Sequence, residues 1–258
     1  MNRSRARYAA AFAPALLCLG CLGGDMDVPT WKPEEARYLF PPLKAGDRWT
    51  FAQWGADYSE AGVELEILGD TVYEGDPAYI QTMTVKVPHF VTVNGTDARD
   101  YSQTGRFYLR KTDQEIVGEV RTTQASVLYP GDSVRTLYRE DESGSTSISG
   151  SLPEELVPGA TWSWSARRYL STAIYFNDSL AWASYDTLPR RRTYTVSASD
   201  PVTVPAGTFD VIRIQWADSG STTVSTGWFS AAARTMVRQI DDYGSSADTT
   251  ELETYSLE

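Results

Sequence analysis

Few side chains in this sequence could support catalysis. His89 is the only histidine, so a Ser-His-Asp triad or a histidine-rich metal site would depend on it. No residues near it have the spacing of either kind of site. The sequence also lacks a glycine-rich phosphate loop and an aspartate-rich calcium loop. We therefore predict no catalytic residues, no metal and no cofactor, and we expect that the protein is not an enzyme.

Clustered carboxylates are the remaining route to an enzyme. Glu140-Asp141-Glu142 and Asp241-Asp242 could supply the acid and base of a glycosidase, with aromatic side chains stacking on the sugar. Neighbouring residues of a strand point to opposite faces, so neither run forms a catalytic pair by itself. We interpret the first run as an exposed acidic loop and the second as the end of a strand. A carbohydrate-binding or carbohydrate-active protein remains an alternative.

The stretch RRYLSTAIYFNDSLAWASYDTLPRRR, residues 167–192, is the most informative for binding. Asn177-Asp178-Ser179 is a turn signal, and folding the chain there places Ile174 opposite Trp182. Both faces of this predicted hairpin are apolar or aromatic, so we expect both to be covered. The hairpin is then either central in the sheet or protrudes and closes over a cavity or partner.

Five arginines meet at the base of this hairpin in an otherwise acidic protein. Together with two aromatic residues further along, they are the candidate binding residues: Arg167, Arg168, Arg190, Arg191, Arg192, Tyr175 and Trp182. One interpretation is ion pairing with acids from neighbouring strands. The other is contact with an anionic headgroup, a polysaccharide or an acidic partner, because planar guanidinium groups suit phosphate and carboxylate.

The N-terminus has the pattern of an export signal. Arg3, Arg5 and Arg7 precede an apolar run over 9–19 that is too short to span a bilayer comfortably. The following CLGC resembles a bacterial lipobox, with Cys18 at the position where leucine is commonest. The resemblance implies that Cys21 is lipidated and anchors the protein to the membrane. An ordinary secretory signal that is cut further on is the alternative.

The net charge of the chain and the residue after Cys21 limit the possible partners and the cellular location. The chain has 23 basic and 34 acidic residues, a formal charge of −11, and the first twenty residues hold three arginines and no acid. Removing them leaves −14, which disfavours a nucleic-acid partner because phosphate attracts the opposite sign. By the usual lipoprotein sorting rule, Leu22 implies the outer membrane, facing the periplasm. We assign residues 1–20 to a lipoprotein signal peptide, 21–42 to a tether and 43–258 to a single β domain.

Strand patterns and turn signals recur throughout 43–258, rich in Thr, Val, Tyr and Trp. In PVTVPAGTFDVIRIQW, residues 201–216, the Val-Pro-Ala-Gly segment predicts a hairpin with Gly207 at φ > 0 in a bulge. One short helix near 153–156 is the exception that we expect. The fold class is therefore all-β: a curved, mostly antiparallel sheet, half-barrel or sandwich-like.

Two segments of the chain show similar motifs. LKAGDRWTF at 43–51 matches LVPGATWSW at 156–164, and GRFYLRKTDQEIV at 105–117 parallels GWFSAAARTMV at 227–237. These matches suggest two similar halves, with repeats over 43–121 and 156–242. The alternative is a simple recurrence of strand and turn chemistry.

FPPLKAGDRWTF, VTVPAGTFDVIRI and GWFSAAARTMVRQ together resemble a group of uncharacterised bacterial exported and lipoprotein β domains. Such domains typically carry FPLxxGxxWxY, VPAGTF and WFxPGVGLV-like motifs; here Ala231-Ala232-Ala233-Arg234 replaces the glycine-rich turn of the last motif. The resemblance implies a curved sheet similar in outline to periplasmic lipoprotein carriers. It implies no activity and no catalytic residues.

These features predict a non-enzymatic envelope lipoprotein that binds an apolar or amphiphilic ligand in the concave side of the sheet. A structural or assembly lipoprotein that pairs with another envelope protein, through a sheet edge or the 167–192 hairpin, is the second hypothesis.

Overall fold

The computed structural model of the chain describes residues 42–55, 60–91, 95–111, 116–150 and 158–258. The predicted signal peptide, Cys21, almost all of the tether and the predicted short helix lie outside the described residues. Across the described ranges, no helix has the length and apolar character needed to cross a membrane.

Fourteen β-strands account for the regular structure of these residues. They are β1 (Arg48–Trp54), β2 (Ala61–Tyr73), β3 (Asp76–Val91), β4 (Asp97–Arg110), β5 (Ile116–Leu128), β6 (Thr136–Gly150), β7 (Thr161–Phe176), β8 (Ser179–Ser199), β9 (Val202–Val204), β10 (Gly207–Phe209), β11 (Ile212–Asp218), β12 (Val224–Ser230), β13 (Thr235–Asp242) and β14 (Ala247–Ser256). The strand pairings are antiparallel. The predicted all-β, antiparallel fold class is confirmed.

Twelve of these strands form a closed barrel, in the order β1-β14-β13-β12-β11-β8-β7-β6-β5-β4-β3-β2. β1 completes the ring because it pairs with β14 on one side and with β2 on the other. The curved sheet predicted from sequence therefore continues round until its ends meet. Closure supplies hydrogen-bond partners for the first and last strands, which would otherwise be open edges.

Alternate side chains of each strand fill the barrel interior. One part is apolar: Phe51, Ile67, Phe107 and Leu252 each have at most 1% of their surface exposed, within one continuous cluster. A second cluster surrounds Tyr194. Burial of this apolar area is the main stabilising contribution to the fold.

The remaining two strands, β9 and β10, form a small hairpin that packs into the apolar part of the barrel. Val202, Val204 and Phe209 belong to the same buried cluster as side chains of the barrel strands. The Ala206 N–H donates to the Leu252 carbonyl at 3.1 Å, an ordinary length for a backbone hydrogen bond. The predicted hairpin is present. Gly207 differs from the prediction because it pairs directly with Val204 and opens β10, although its φ of 138° still favours glycine.

β8 is longer than the sequence pattern predicts. Alternation in the sequence predicts two separate strands, over 180–187 and 192–199, but one strand runs from Ser179 to Ser199. Proline lacks an N–H and is tolerated in a strand where one side has no partner. β8 meets this condition around Pro189, because β11 pairs with it only from Arg192 onward.

The first pair of matching motifs has the same local geometry. Gly46 and Gly159 both have positive φ, 96° and 91°. The Gly46 N–H donates to Ile67 O at 2.8 Å, and the Gly159 N–H donates to Val196 O at 2.7 Å. Each turn thus fastens the strand that follows it to the next strand of the barrel.

The second pair of motifs also shares a local contact between a glycine and an aromatic ring. A Cβ added to Gly105 would lie 2.6 Å from the Phe107 ring, and one added to Gly227 would lie 2.9 Å from the Phe229 ring. In both segments an aromatic ring covers the strand glycine that lies two residues before it in the chain. Six barrel strands, β1–β6, precede residue 151 and six, β7, β8 and β11–β14, follow it. Two similar halves, with repeats over 43–121 and 156–242, stay a prediction.

Candidate functional site

The hairpin of β7 and β8 turns tightly at Asn177 and Asp178, whose φ values of 47° and 63° are those of a two-residue hairpin turn with positive φ. The side-chain oxygen of Asn177 accepts from the Leu137 N–H at 2.9 Å, which holds the turn against β6. Ile174 and Trp182 are opposite each other, as the sequence predicts.

The first part of β8 is an open sheet edge. Its residues Ser179–Arg191 pair with β7 on one side, and no described strand pairs with them on the other side. β7 itself is central, between β6 and β8. The central position that one alternative predicts thus holds for β7, whereas the first part of β8 extends beyond the end of β11 at Asp218. Closure of the hairpin over a cavity or partner stays a prediction.

Large apolar side chains along this edge are exposed. Trp182 has 48% of its surface exposed and Tyr185 has 70%, and Leu180 and Leu188 are similarly open. The expectation that both faces of the hairpin would be covered is not met on β8. On β7, the Tyr175 ring lies under the Arg139 guanidinium, 4.1 Å from the ring centroid.

The structure divides the five arginines between the two faces of the sheet. Three point inward and form ion pairs: Arg168 donates to Glu119 at 2.6 Å, and Arg190 and Arg192 both bind Asp218, through Nε at 2.7 Å in each case. The acids come from β5 and β11, so the ion-pairing interpretation applies to these three. Local sequence offered no sign of Asp218 as the partner.

Asp218 is held in its charged form by these contacts. Burial alone would raise its pKa, but the hydrogen bonds and charges of Arg192 and Arg190 outweigh burial and hold the pKa below its ordinary value. Arg192 is 5% exposed and also lies 5.6 Å from the ring centroid of Trp164 and 6.0 Å from that of Trp216. This inward group is a well-satisfied part of the barrel wall.

Arg167 and Arg191 point outward and are exposed. Neither forms an ion pair with an acid in the described part of the chain. They line a groove of about 570 Å³ on the outer surface, formed by Ser147, Ser149, Ser165, Ala166, Arg167, Tyr169, Pro189, Arg190, Arg191 and Ser219. The sequence placed the arginines together but did not reveal this division or the hydroxyl groups beside them.

A polar network inside the barrel was missed by the sequence analysis. The Arg121 guanidinium lies 3.1 Å from Glu119 and 2.5 Å from Glu142, and Tyr138 donates to Glu140 at 2.6 Å. The acidic run at 140–142 was wrongly interpreted as an exposed loop. It lies within β6, where alternation sends Glu140 and Glu142 inward; the available signal was the matching alternation of Glu119, Arg121 and Thr123 on β5.

Burial raises the pKa of Glu140 above its ordinary value, and the charge of Glu142 adds to this effect, while the Tyr138 hydrogen bond and Arg121 oppose it. Burial likewise raises the pKa of Asp241, which accepts hydrogen bonds from Ser225 at 2.5 Å and from Gln239 at 2.8 Å. The described residues contain no group of three or more His, Cys, Asp or Glu arranged to hold a metal ion.

His89 lies near the end of β3, on the surface. Its Nε2 is 3.1 Å from Asp97, which also pairs with Arg135 at 2.6 Å. The hydrogen bonds and charges of Arg135 and its neighbours outweigh desolvation and lower the pKa of Asp97. The neighbours of His89 therefore form a surface ion-pair group.

The chain matches no protein-family model, and no curated protein matches it in sequence. Among solved structures, the chain is similar to a Bacteroides fragilis protein that is inferred to be exported and has a YmcC-like fold. The TM-score is 0.39 and the sequence identity 10%, and the alignment covers 83% of this chain and 97% of that chain. It is also similar to an inferred lipoprotein of Parabacteroides distasonis, with TM-score 0.33, 13% identity, and the same coverage of 83% and 97%. Similarity at this level transfers no function to the present chain.

Proposed function

We propose that this protein is a non-enzymatic lipoprotein of the bacterial cell envelope, anchored through Cys21, that binds another envelope protein by strand pairing along the first part of β8. One observation carries the proposal: Ser179–Arg191 has a pairing partner on one side only among the described strands. The arginine-rich N-terminus, its apolar run and the lipobox-like CLGC support the location.

An open edge binds an added strand through its backbone. Its unpaired N–H and C=O groups accept an extended segment of a partner, and side-chain pockets on alternate residues give specificity. Here the exposed Trp182 and Tyr185 stand beside that backbone and can cover the added strand. Aromatic residues of this kind contribute strongly to protein interfaces.

The composition of the edge indicates which part of it would pair. Soluble proteins usually protect open edges with charges or proline. Residues 186–191, DTLPRR, contain both, whereas residues 179–185, SLAWASY, contain neither. The unprotected stretch is therefore the proposed docking segment.

The prediction of an apolar ligand inside the sheet gains less support. The apolar part of the barrel is occupied by its own side chains and by Val202, Val204 and Phe209 of the inserted hairpin. A ligand there would have to displace them, and loss of burial costs roughly 1.5–3 kcal/mol for each large apolar side chain.

Site-specific photo-cross-linking in the native host tests the proposal. A photoreactive amino acid at Tyr185 should give an adduct with a different envelope protein. The same residue at Val72 is the control, since this position is 67% exposed on β2. Adducts at neither position, equal adducts at both, or adducts that contain only two copies of this chain would contradict the proposal.

A second variant tests the edge itself. Ala183 is exposed on β8, and Ala183→Lys would add a charge of the kind that protects natural edges. We expect the Tyr185 adduct to fall at least several-fold while the melting temperature stays unchanged. An undiminished adduct would show that strand pairing is not the mode of binding.

A further inference from the structure

The two outward arginines differ from the other three in having no acidic partner among the residues that the structure describes. Arg167 on β7 is opposite Pro189, and Arg191 on β8 is opposite Ser165, so both side chains lie on the outer face of one antiparallel pair, two residues apart in register. The inward arginines have Glu119 and Asp218. Two positive charges on the same face of neighbouring strands repel each other, and an anion bound between them would offset that repulsion.

The groove lined by Arg167 and Arg191 could bind such an anion. Its volume of about 570 Å³ is large enough to hold a small molecule. The turn after β11 closes one end, where the Ser219 N–H donates to Arg191 O at 2.8 Å. Arg190 also borders the groove but is already bound to Asp218, so among the described lining residues Arg167 and Arg191 are the cations available to a ligand.

The other lining residues indicate more than a simple anion. Ser147, Ser149 and Ser165 place hydroxyl groups on adjacent strands, and hydroxyl groups can donate and accept hydrogen bonds as sugar hydroxyls do. The Ser149 hydroxyl already donates to Ser165 O at 3.4 Å, so it can serve a ligand as an acceptor. Tyr169 contributes an aromatic ring to the same wall. The groove thus combines two guanidinium groups, which can bind an anion, with hydroxyl groups and an aromatic side chain that suit a polyhydroxylated molecule.

We propose that this groove binds a saccharide that carries a phosphate or carboxylate group. The anionic group lies between Arg167 and Arg191, and the sugar hydroxyls contact the serines. A long polyanion such as nucleic acid fits poorly, because the chain carries a formal charge of −11 that would repel it away from the groove. The inference is independent of the proposed docking segment, since residues 179–185 lie outside the groove lining.

Calorimetric titration of the full chain tests this inference with defined probes. The probes are glucose 6-phosphate, galacturonate oligomers, uncharged maltose oligomers and inorganic phosphate. We expect one of the two anionic saccharides to bind at least tenfold more tightly than both maltose oligomers and phosphate. Binding of neither anionic saccharide, equally tight binding of maltose oligomers, or equally tight binding of phosphate alone would overturn the proposal.

Matched charge variants then locate the site. Arg167→Gln with Arg191→Gln should weaken the saccharide at least tenfold and reduce its salt dependence. Lys86→Gln with Arg106→Gln removes the same charge from exposed positions on β3 and β4 and should leave affinity unchanged. Equal losses in both double variants would mean a general charge effect and would overturn the site.

A serine variant tests the saccharide contacts separately. Ser147→Ala with Ser165→Ala should weaken the anionic saccharide at least threefold and leave the weak binding of inorganic phosphate unchanged. These side chains line an open groove, so the melting temperature should not change. Unaltered saccharide affinity would overturn the assigned orientation of the sugar.

Discussion

At the scale of single residues, the turn between β12 and β13 shows how a departure from the resembled motif is accommodated. Arg234 has a φ of 52°, in the left-handed region where the motif has glycine. Its guanidinium lies 3.1 Å from Asp47, whose surface is fully buried and which also accepts the Lys44 and Glu258 N–H groups at 2.9 Å each. The arginine thus offsets its backbone strain by pairing with a buried carboxylate.

Replacing Arg234 should separate the strain from the ion pair. Arg234→Ala keeps the unfavourable φ and removes the pair, so the free energy of unfolding should fall by about 1–3 kcal/mol. Arg234→Gly also removes the pair but relieves the strain, which is worth roughly 1 kcal/mol, so it should fall by less. Urea unfolding of both variants measures the difference, and a glycine variant less stable than the alanine variant would refute this explanation.

At the scale of strands, β6 shows why a charged run can face a barrel interior. Glu140 and Glu142 alternate with Asp141, and only the two glutamates face inward. Arg121 on the paired strand partly compensates their charge. Since burial raises the pKa of Glu140, the folded protein holds this proton more tightly than the unfolded chain does.

The sign of the pH dependence follows from that shift. The contribution of Glu140 to stability is complete below its unfolded pKa and is lost as pH rises through its folded pKa. Glu140→Gln should therefore be more stabilising, relative to wild type, at about pH 8 than at about pH 4, where the carboxyl is mostly protonated. Urea unfolding at both values measures this, and an effect independent of pH would contradict it.

Asp218→Asn is the matched variant of opposite sign. The pKa of Asp218 is lowered, so its contribution is present above its unfolded pKa and is lost as pH falls through its folded pKa. This variant should be destabilised most near neutral pH and least in acid. Together, the two variants distinguish Glu140, whose pKa is raised by burial, from Asp218, whose pKa is lowered by its ion pairs.

At the scale of the whole molecule, the proposed anchor at Cys21 would determine where the barrel acts. If Cys21 is lipidated, Cys21→Ser should yield an unprocessed or soluble protein, because acyl chains supply about 0.8 kcal/mol of membrane affinity for each buried CH₂ group. Cys18→Ser is the control and should still fractionate with membranes. A Cys21→Ser protein that stays with membranes after a carbonate wash would show that the lipid is not what holds it there.

The sequence by itself determined the local features of this protein. Alternation of apolar and polar residues determined that the elements are strands, and the signals at Asn177-Asp178 and Pro205-Ala206 determined two of the turns. These features arise between residues that are near one another in the chain, so residue type and spacing are sufficient to predict them.

The tertiary structure decided the pairings between distant residues. The Trp49 indole N–H donates to Ala233 O at 2.7 Å, and Asp218 joins Arg190 and Arg192, although nothing in the flanking sequence of either group indicates its partner. Closure of β1 onto β14 is of the same kind. The tertiary structure also decided which arginines face inward, because a strand's alternation defines two faces but only the packed barrel determines which face is buried. It decided as well that residues 179–191 of β8 pair on one side only among the described strands.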